Sequence, residues 1–482
     1  MQAPLSNLKP ALLWKHFDEL LRIPRCSRNE KAAAQYVLDF AGSKGFAGRK
    51  DKTGNVVVEV PATPGMENTP IAVLQGHLDM VCEKNSDKAF DFDKDTIEVR
   101  NDGGWVTACG TSLGADNGMG LAASLAIAED ESAAHGPLEL LFTVDEETGL
   151  NGANGLQPGF LRGRILLNLD SEDEGVFFIG CAGGADTETT MTVGRKAKSG
   201  GKALKVHLSG LRGGHSGLDI DKGKGNATQL LARMLYRLDI PFGLVTLEGG
   251  TKHNAIPREA FAHVEVPEKR EGDFRAALEN RFKEIRFEYR TAEKDMKLSV
   301  EPAPVKGPPS MDKDSQDQVL GLLVGIPHGV AAMSMEIPGL VETSNNLAIV
   351  RVKGRKVLIH TSTRSSVQSA LEALREKLAA VGRLAGAKVN HLSGYPSWTP
   401  DLDSKLLKTM KTVYRNLYGT EPKVEAVHAG LECGIIGKKY PGMDMISFGP
   451  TLRNPHSPDE RVHVESVDKF YELLKAVLKS LA

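Results

Sequence analysis

Apolar residues recur at helical spacing over residues 9–22 and again over 29–41, which predicts two amphipathic helices. Short β-rich runs follow at 55–60, 71–75, 138–144 and 164–169. Residues 118–128 are small and apolar on every side, the pattern of a buried helix. Strands alternating with helices predict an α/β fold with a mostly parallel sheet. Such sheets place ligands at the carboxyl ends of their strands. His77 falls just after one apolar run, Glu146 and Glu147 after another, and Asp170 at the end of a third.

The texture changes near Cys181. Strands are predicted at 206–209 and 260–266, with helices at 227–238 and 272–285. A similar cycle then returns: a helix at 315–324, strands at 346–352 and 356–362, a helix at 366–384 and a strand at 387–391. This predicts a duplicated βαββαβ unit. A local echo supports it, since His253-Asn254-Ala255-Ile256 opens one strand and Asn345-Asn346-Leu347-Ala348 opens another. The α/β texture resumes near 395 and ends in a helix over 467–481. A chain of 482 residues exceeds what one hydrophobic core supports. The expected division is a catalytic domain in two parts, 1–184 and 395–482, interrupted by an α+β domain over 185–394.

Composition narrows the function. The 60 basic and 62 acidic residues nearly cancel, so nucleic acid and anionic membrane are poor candidates for the main partner. No apolar run approaches the ~18 residues a membrane span needs. The N-terminal segment has no signal-peptide pattern. The five cysteines are scattered and form no CxxC pair. The expectation is a reduced, soluble, cytoplasmic protein, with Cys82 and Cys433 as inert buried thiols. Glycine, at 50 residues, exceeds the usual ~7% and suggests loops shaped around a ligand.

The candidate chemistry lies in His77 and Asp79, Asp116, Glu146 and Glu147, Asp170, and the late His456. Imidazole and carboxylate donors suit zinc, and also manganese or cobalt. One carboxylate can bridge two metals, and a metal pair can lower the pKa of a water and polarise a carbonyl. A second carboxylate can then take the proton from that water. Adjacent residues leaving a strand point in different directions, so Glu146 and Glu147 can divide these tasks. Each residue alone has a plainer reading: a structural histidine, a solvated Glu-Glu turn, or, for Asp116, a helix N-cap. No GxSxG elbow or HExxH motif occurs. Residues 217–224 fit a phosphate loop poorly, with Gly225 where it needs Ser or Thr.

The ordered motifs GHLDMVCEKN, GTSLGADNG, TVDEETGL, NLDSED, GLRGGHSG, HAGLECG and NPHSPDE resemble the di-zinc aminopeptidase, carboxypeptidase and deacylase family. The wording is most similar to its branch of aminoacyl-histidine dipeptidases. The resemblance spans essentially the whole chain. It implies a zinc-exopeptidase-like catalytic domain with an inserted lid, and hydrolysis of dipeptides, preferentially Xaa-His such as β-alanyl-histidine. A related deacylase or tripeptide aminopeptidase is the alternative. The implied cofactors are two divalent ions, zinc first, with cobalt or manganese possible. By resemblance, His77, Asp116 and Asp170 bind one metal, and Asp116 bridges to a second held by Glu147 and His456. Glu146 is the general base acting on a metal-bridged hydroxide, then the proton donor, and Asp79 orients His77. In the lid, His215 matches a residue that contacts the reacting carbonyl, usually in a partner subunit's site. Asn254 matches a residue near the substrate, and Arg364 is the candidate for its carboxylate. Gly430 is expected to offer backbone donors and Glu432 to meet the substrate's amine or imidazole. The resemblance implies a homodimer through the lid. Arg364 falls in the second repeat, whereas His263-Val264-Glu265-Val266 of the first holds no arginine. The other possibility is therefore a monomer whose second repeat imitates the partner's lid.

Overall fold

In the computed structural model, the apolar runs at 71–75 and 138–144 become the fully buried strands Ala72–His77 and Leu138–Thr143. The structure describes residues 5–196, 200–304 and 308–481. It divides into two units. One holds the chain up to Cys181, Pro400–Ala426 and everything from Leu431 onward; the other holds Ala182–Thr399 and Val427–Gly430.

The first unit is built on an eight-stranded sheet. Its centre is parallel: Leu138–Thr143, Ala72–His77, Ile165–Asn168 and Asp444–Ser447 lie side by side in that order. Val56–Val60 and Ala47–Lys50 extend one side antiparallel, and Val176–Cys181 joins the other side antiparallel. Three of these four parallel strands lead at their carboxyl ends into candidate residues: His77, the Glu146-Glu147 pair and Asp170. The small-residue run becomes the helix Ala115–Glu129, buried on nearly every side from Ala115 to Ile127. Gly76 lets this helix lie close, since a Cβ there would fall 2.2 Å from Asn117 Oδ1. A four-stranded sheet joins Leu452–Arg453, Arg461–His463, Trp105–Ala108 and Val99–Asp102. Its strands of two to four residues are too short to show a period, which is why the pattern of the chain does not predict them.

The second unit is a nine-stranded sheet covered by helices. Lys202–Ser209, the helix Ala227–Leu235, Gly243–Gly249, Ala260–Val266, the helix Glu271–Glu288 and Lys297–Pro302 form one βαββαβ set. The second set takes its first strand, Gly183–Thr192, from ahead of the first set. It continues through Lys313–Gly325, Val341–Lys353, Lys356–Ser365, Gln368–Leu384 and Lys388–Tyr395. The two sets meet where Gly249 pairs with Val350, and their strand orders mirror each other about that seam. Alternation sets the core: Leu204, Val206 and Leu208 point inward with Leu244, Leu247, Ala262 and Val264. The helix expected over 227–238 stops at Leu235, because Tyr236 turns extended and Arg237 takes φ 52°.

One expectation is overturned. Cys26 and Cys82 are joined in a disulfide, whereas Cys109, Cys181 and Cys433 lie outside any. Cys26 is bridged to Met80 as an isolated parallel pair, which carries it to Cys82 across 56 residues of sequence. Nothing local in the sequence marks that contact. Cys433 is a buried thiol, and burial pushes its pKa well up.

Candidate metal centre

All the candidate ligands lie in the first unit, at the carboxyl ends of its parallel strands and on two loops that face them. His77 ends one strand and is buried. Its Nε2 stands 3.1 Å from Asp116 Oδ1 and 3.3 Å from Asp170 Oδ1. Its Nδ1 faces Asp79, 3.2 Å from the carbonyl and 3.4 Å from Oδ1. Asp79 also accepts from the backbone N–H of Glu146 and Glu147, at 3.0 and 3.2 Å, and from Ser27 Oγ at 2.8 Å. One buried carboxylate therefore sets both the His77 ring and the turn that carries the glutamates. Burial works to raise its pKa, but these donors and the His77 charge bring it down to about 2.

Asp116 is not the helix cap. Gly114 holds the N-cap position, and Asp116 itself has the non-helical backbone angles φ −83° and ψ 111°. Its two carboxylate oxygens face opposite ways. Oδ1 meets His77, and Oδ2 lies 3.1 Å from His456 Nε2. The same His456 nitrogen is 2.9 Å from Glu147 Oε2. The donors thus fall into two triads, His77/Asp116/Asp170 and Asp116/Glu147/His456, with Asp116 in both. Ligands at ~2.0–2.2 Å from one tetrahedral ion are ~3.3–3.5 Å apart, close to the separations here. Glu147 Oε1 is buried with no hydrogen-bond partner, as expected of an oxygen reserved for an ion.

Electrostatics agree. Burial, reinforced by Asp170, Glu432 and Glu147, pushes the Glu146 carboxyl well above the usual range. Burial likewise pushes Asp170 up to about 6, and Glu172 and Glu432 to about 7. The imidazole of His456 is raised as well, but this favours its charged form: hydrogen bonds to Asp116 and Glu147 bring it to about 11. So much buried negative charge calls for cations, and carboxylates with imidazoles are donors for zinc-class ions. The donor set fits divalent metal.

The sequence pattern of Peptidase family M20/M25/M40 matches residues 73–480. The chain belongs to that family. It is 43% identical over 481 residues to the cytosol non-specific dipeptidase of Escherichia coli (strain K12), covering 99% of each chain. The crystal structure of aminoacylhistidine dipeptidase from Vibrio alginolyticus matches with a TM-score of 0.92 at 42% identity, covering 99% of this chain and 98% of that one. Aminopeptidase PepT from Bacillus cereus ATCC 10987 shares the fold, with a TM-score of 0.57 at 15% identity and coverage of 98% and 99%.

In this M20 peptidase the four other expected residues, His215, Asn254, Arg364 and Gly430, fall in the second unit. His215 pairs with Ala255 across a two-residue ladder, and Ser216 N–H donates to Asn254 O at 2.9 Å. His215 Nδ1 accepts from the N–H of Gly217 and Leu218, at 3.2 and 3.1 Å. The ring proton therefore sits on Nε2. Burial, then the charge of Arg364, lowers the pKa of His215 and keeps it neutral. Arg364 is buried and donates to Tyr395 Oη at 2.7 Å; a Cβ on Gly430 would fall 2.7 Å from the same tyrosine ring. Glu432 lies in the first unit, almost wholly buried, and Gln75 and Thr143 donate to its Oε2 at 2.5 and 2.7 Å. Its Oε1 has no hydrogen-bond partner.

Two groups escape sequence reasoning. Glu460 accepts from four successive backbone N–H groups: Leu113 at 2.7, Gly114 at 2.9, Ala115 at 2.8 and Asp116 at 3.2 Å. Buried Arg25 donates to the carbonyls of Leu78, Asp79 and Gly114. The signal for Glu460 was its place in NPHSPDE, four residues past His456. Arg25 had none.

Proposed function

We propose that the chain hydrolyses dipeptides, Xaa-His among them, in the cytosol. His77, Asp116 and Asp170 would hold one divalent ion, and Asp116, Glu147 and His456 a second, with zinc the best match to the donors. When bound, such a pair polarises the peptide carbonyl and lowers the pKa of a water. The observation that carries the reading is the splitting of the Asp116 carboxylate between two histidines. The similarity to a non-specific dipeptidase and to an aminoacylhistidine dipeptidase supports the substrate class.

Glu146 is the general base. It takes the proton of the attacking water and returns it to the leaving amine. The desolvation that raises its pKa suits a group that must both accept and donate near neutral pH. Asp79 keeps the His77 proton on Nδ1, leaving Nε2 as donor to an ion. His215, with its proton on Nε2, offers a neutral donor to the carbonyl oxygen as charge develops. Arg364 offers its guanidinium to the substrate carboxylate, and its Nε is buried without a partner. Asn254, Gly430 and Glu432 complete the substrate contacts. The lid domain, expected over 185–394, mediates a homodimer in this reading.

Initial rates on β-alanyl-histidine and other Xaa-His dipeptides, set against tripeptides and N-acyl amino acids, test the substrate class. Dipeptides should have the highest kcat/KM. Preference for N-acyl amino acids or tripeptides would move the chain to the deacylase or aminopeptidase reading. Glu146→Gln should keep two metals per chain while kcat falls by about 10²–10⁴. Mixing His215→Ala with Glu146→Ala subunits should restore activity if His215 serves the partner's site. No restoration would place it within its own chain.

A further inference from the structure

Outside the site described above, one other cluster among the described residues joins two imidazoles to a carboxylate. Asp186 lies on Gly183–Thr192 and His360 on the adjacent strand Lys356–Ser365. Asp186 pairs with Ser362, so His360, two residues away, projects from the same face as a diagonal neighbour. His253 arrives from the turn ahead of Ala255–Ile256, where Asn346 Nδ2 holds its carbonyl at 3.3 Å. His360 Nε2 is 3.1 Å and His253 Nδ1 3.3 Å from the same oxygen, Asp186 Oδ2. The three donor atoms all lie within 4.8 Å of one another.

We propose that Asp186, His253 and His360 form a further binding site for a zinc-class divalent ion, separate from the catalytic pair. Two imidazoles and a carboxylate are a common donor set for such ions, with a fourth position left for water. Ligands at ~2.0–2.2 Å from one tetrahedral ion stand ~3.3–3.5 Å apart, near the two separations seen here. A simple hydrogen-bonded trio explains the geometry less well. His360 Nε2 is shielded from solvent and 3.1 Å from Asp186 Oδ2, but the ring N–H is not aligned for a good hydrogen bond to it. Among the described residues no lysine or arginine pairs with Asp186; its carboxylate meets the two rings and the Ser362 hydroxyl. The site is open to a solvated ion, since the His253 side chain is 58% exposed and those of Asp186 and His360 are about a quarter exposed. An ion there would tie the turn that continues into Asn254 to the sheet beneath it.

Metal counting tests this on the untagged full chain carrying its catalytic ions. Dialysis against graded free Zn2+, followed by elemental analysis, should show wild type binding one more equivalent per chain than His360→Gln. The double variant His253→Asn/His360→Gln should show the same deficit, and Asp186→Asn a weaker site. The comparison is a difference, so it holds whatever number of ions the first unit carries. Circular dichroism melts of the variants in zinc-free buffer should match wild type, and a variant that melts early is replaced by Asp186→Asn in the comparison. Equal metal content in wild type and the double variant at every zinc concentration would overturn the proposal. So would anomalous diffraction from a zinc-soaked crystal with no peak between these three side chains.

Discussion

The carboxylate of Glu460 is the first place to perturb. It is 1% exposed and fills a ring of four N–H groups, two on each oxygen, leading to the Asp116 carboxylate. Glu460→Gln keeps the shape and replaces one oxygen by an NH2 group. Whichever way the amide turns, two backbone N–H groups then face donors instead of an acceptor. An unsatisfied buried polar group costs ~1–3 kcal/mol, so two cost roughly 2–6 kcal/mol. Arg25 also loses one of the negative charges that favour its buried guanidinium. Urea unfolding at pH 7.5, followed by tryptophan fluorescence, should show a loss of about 4 kcal/mol. The Asp116 N–H is among the four, so the aim of its carboxylate should loosen. Metal affinity measured by competition with a chromophoric chelator should then fall by roughly 10–100-fold. A Glu460→Gln protein within ~0.5 kcal/mol of wild type, the range of an ordinary surface change, would refute the assigned role.

Three further outcomes follow from the same geometry. Burial lowers His16 and His328 to about 4, whereas unfolded histidine titrates near 6.5; below that pH the unfolded chain binds more protons, so stability is full above 6.5 and falls as pH drops to 4. His16→Gln should flatten that fall by up to roughly 3 kcal/mol in urea titrations at stepped pH, and an unchanged slope would count against a neutral buried ring. The Cys26–Cys82 bond closes a loop with a sequence separation of 56, worth about 4 kcal/mol by chain entropy; Cys82→Ser should lose that in non-reducing buffer and nothing beside wild type in dithiothreitol. After chelation His77 and His456 hold protons against neighbouring carboxylates, so readdition of Zn2+ at pH 7 should release at least one proton from each in a pH-stat, and no release would contradict the paired geometry.

The long apolar strands were legible because burial on both faces leaves nothing but apolar residues at 72–74 and 140–142. The same argument failed for Val341–Lys353. Its first half, Glu342 through Asn346, is polar yet mostly buried, and hydrogen bonds such as Thr343 to Ser365 and Thr363 to Asn345 replace apolar packing. The expected strand therefore began late, at 346. The candidate ligands were legible for a related reason. Each sits where a readable strand ends, or, for Asp116 and His456, in a motif of recognisable wording. The groups that hold them were not. Arg25 stands in irregular chain before the second helix, and Glu460 lies beyond a two-residue strand. Both act on backbone atoms, which carry no residue identity, so even the motif that contains Glu460 does not show what it holds.

That difference bears on how the acidic cluster is tolerated. Asp79, Asp116, Glu147 and Asp170 gather around two histidines, and among the described residues Arg25 is the permanent buried cation that acts on them. Direct side-chain pairing could neutralise them, but it would occupy the oxygens that must face an ion. The fold instead spends peptide dipoles. Asp79 is held by the amides of Glu146 and Glu147, and Glu460 by the four amides from Leu113 to Asp116. Arg25 is turned onto carbonyls, where it stiffens the loops while its charge still acts across the cluster. Glycine completes the arrangement. A Cβ on Gly120 would fall 2.5 Å from the carbonyl of Leu169, the residue before Asp170, so the buried helix approaches that candidate ligand's backbone only without a side chain. The near-neutral balance of the whole chain thus conceals a local excess of negative charge, stabilised by backbone geometry until cations arrive.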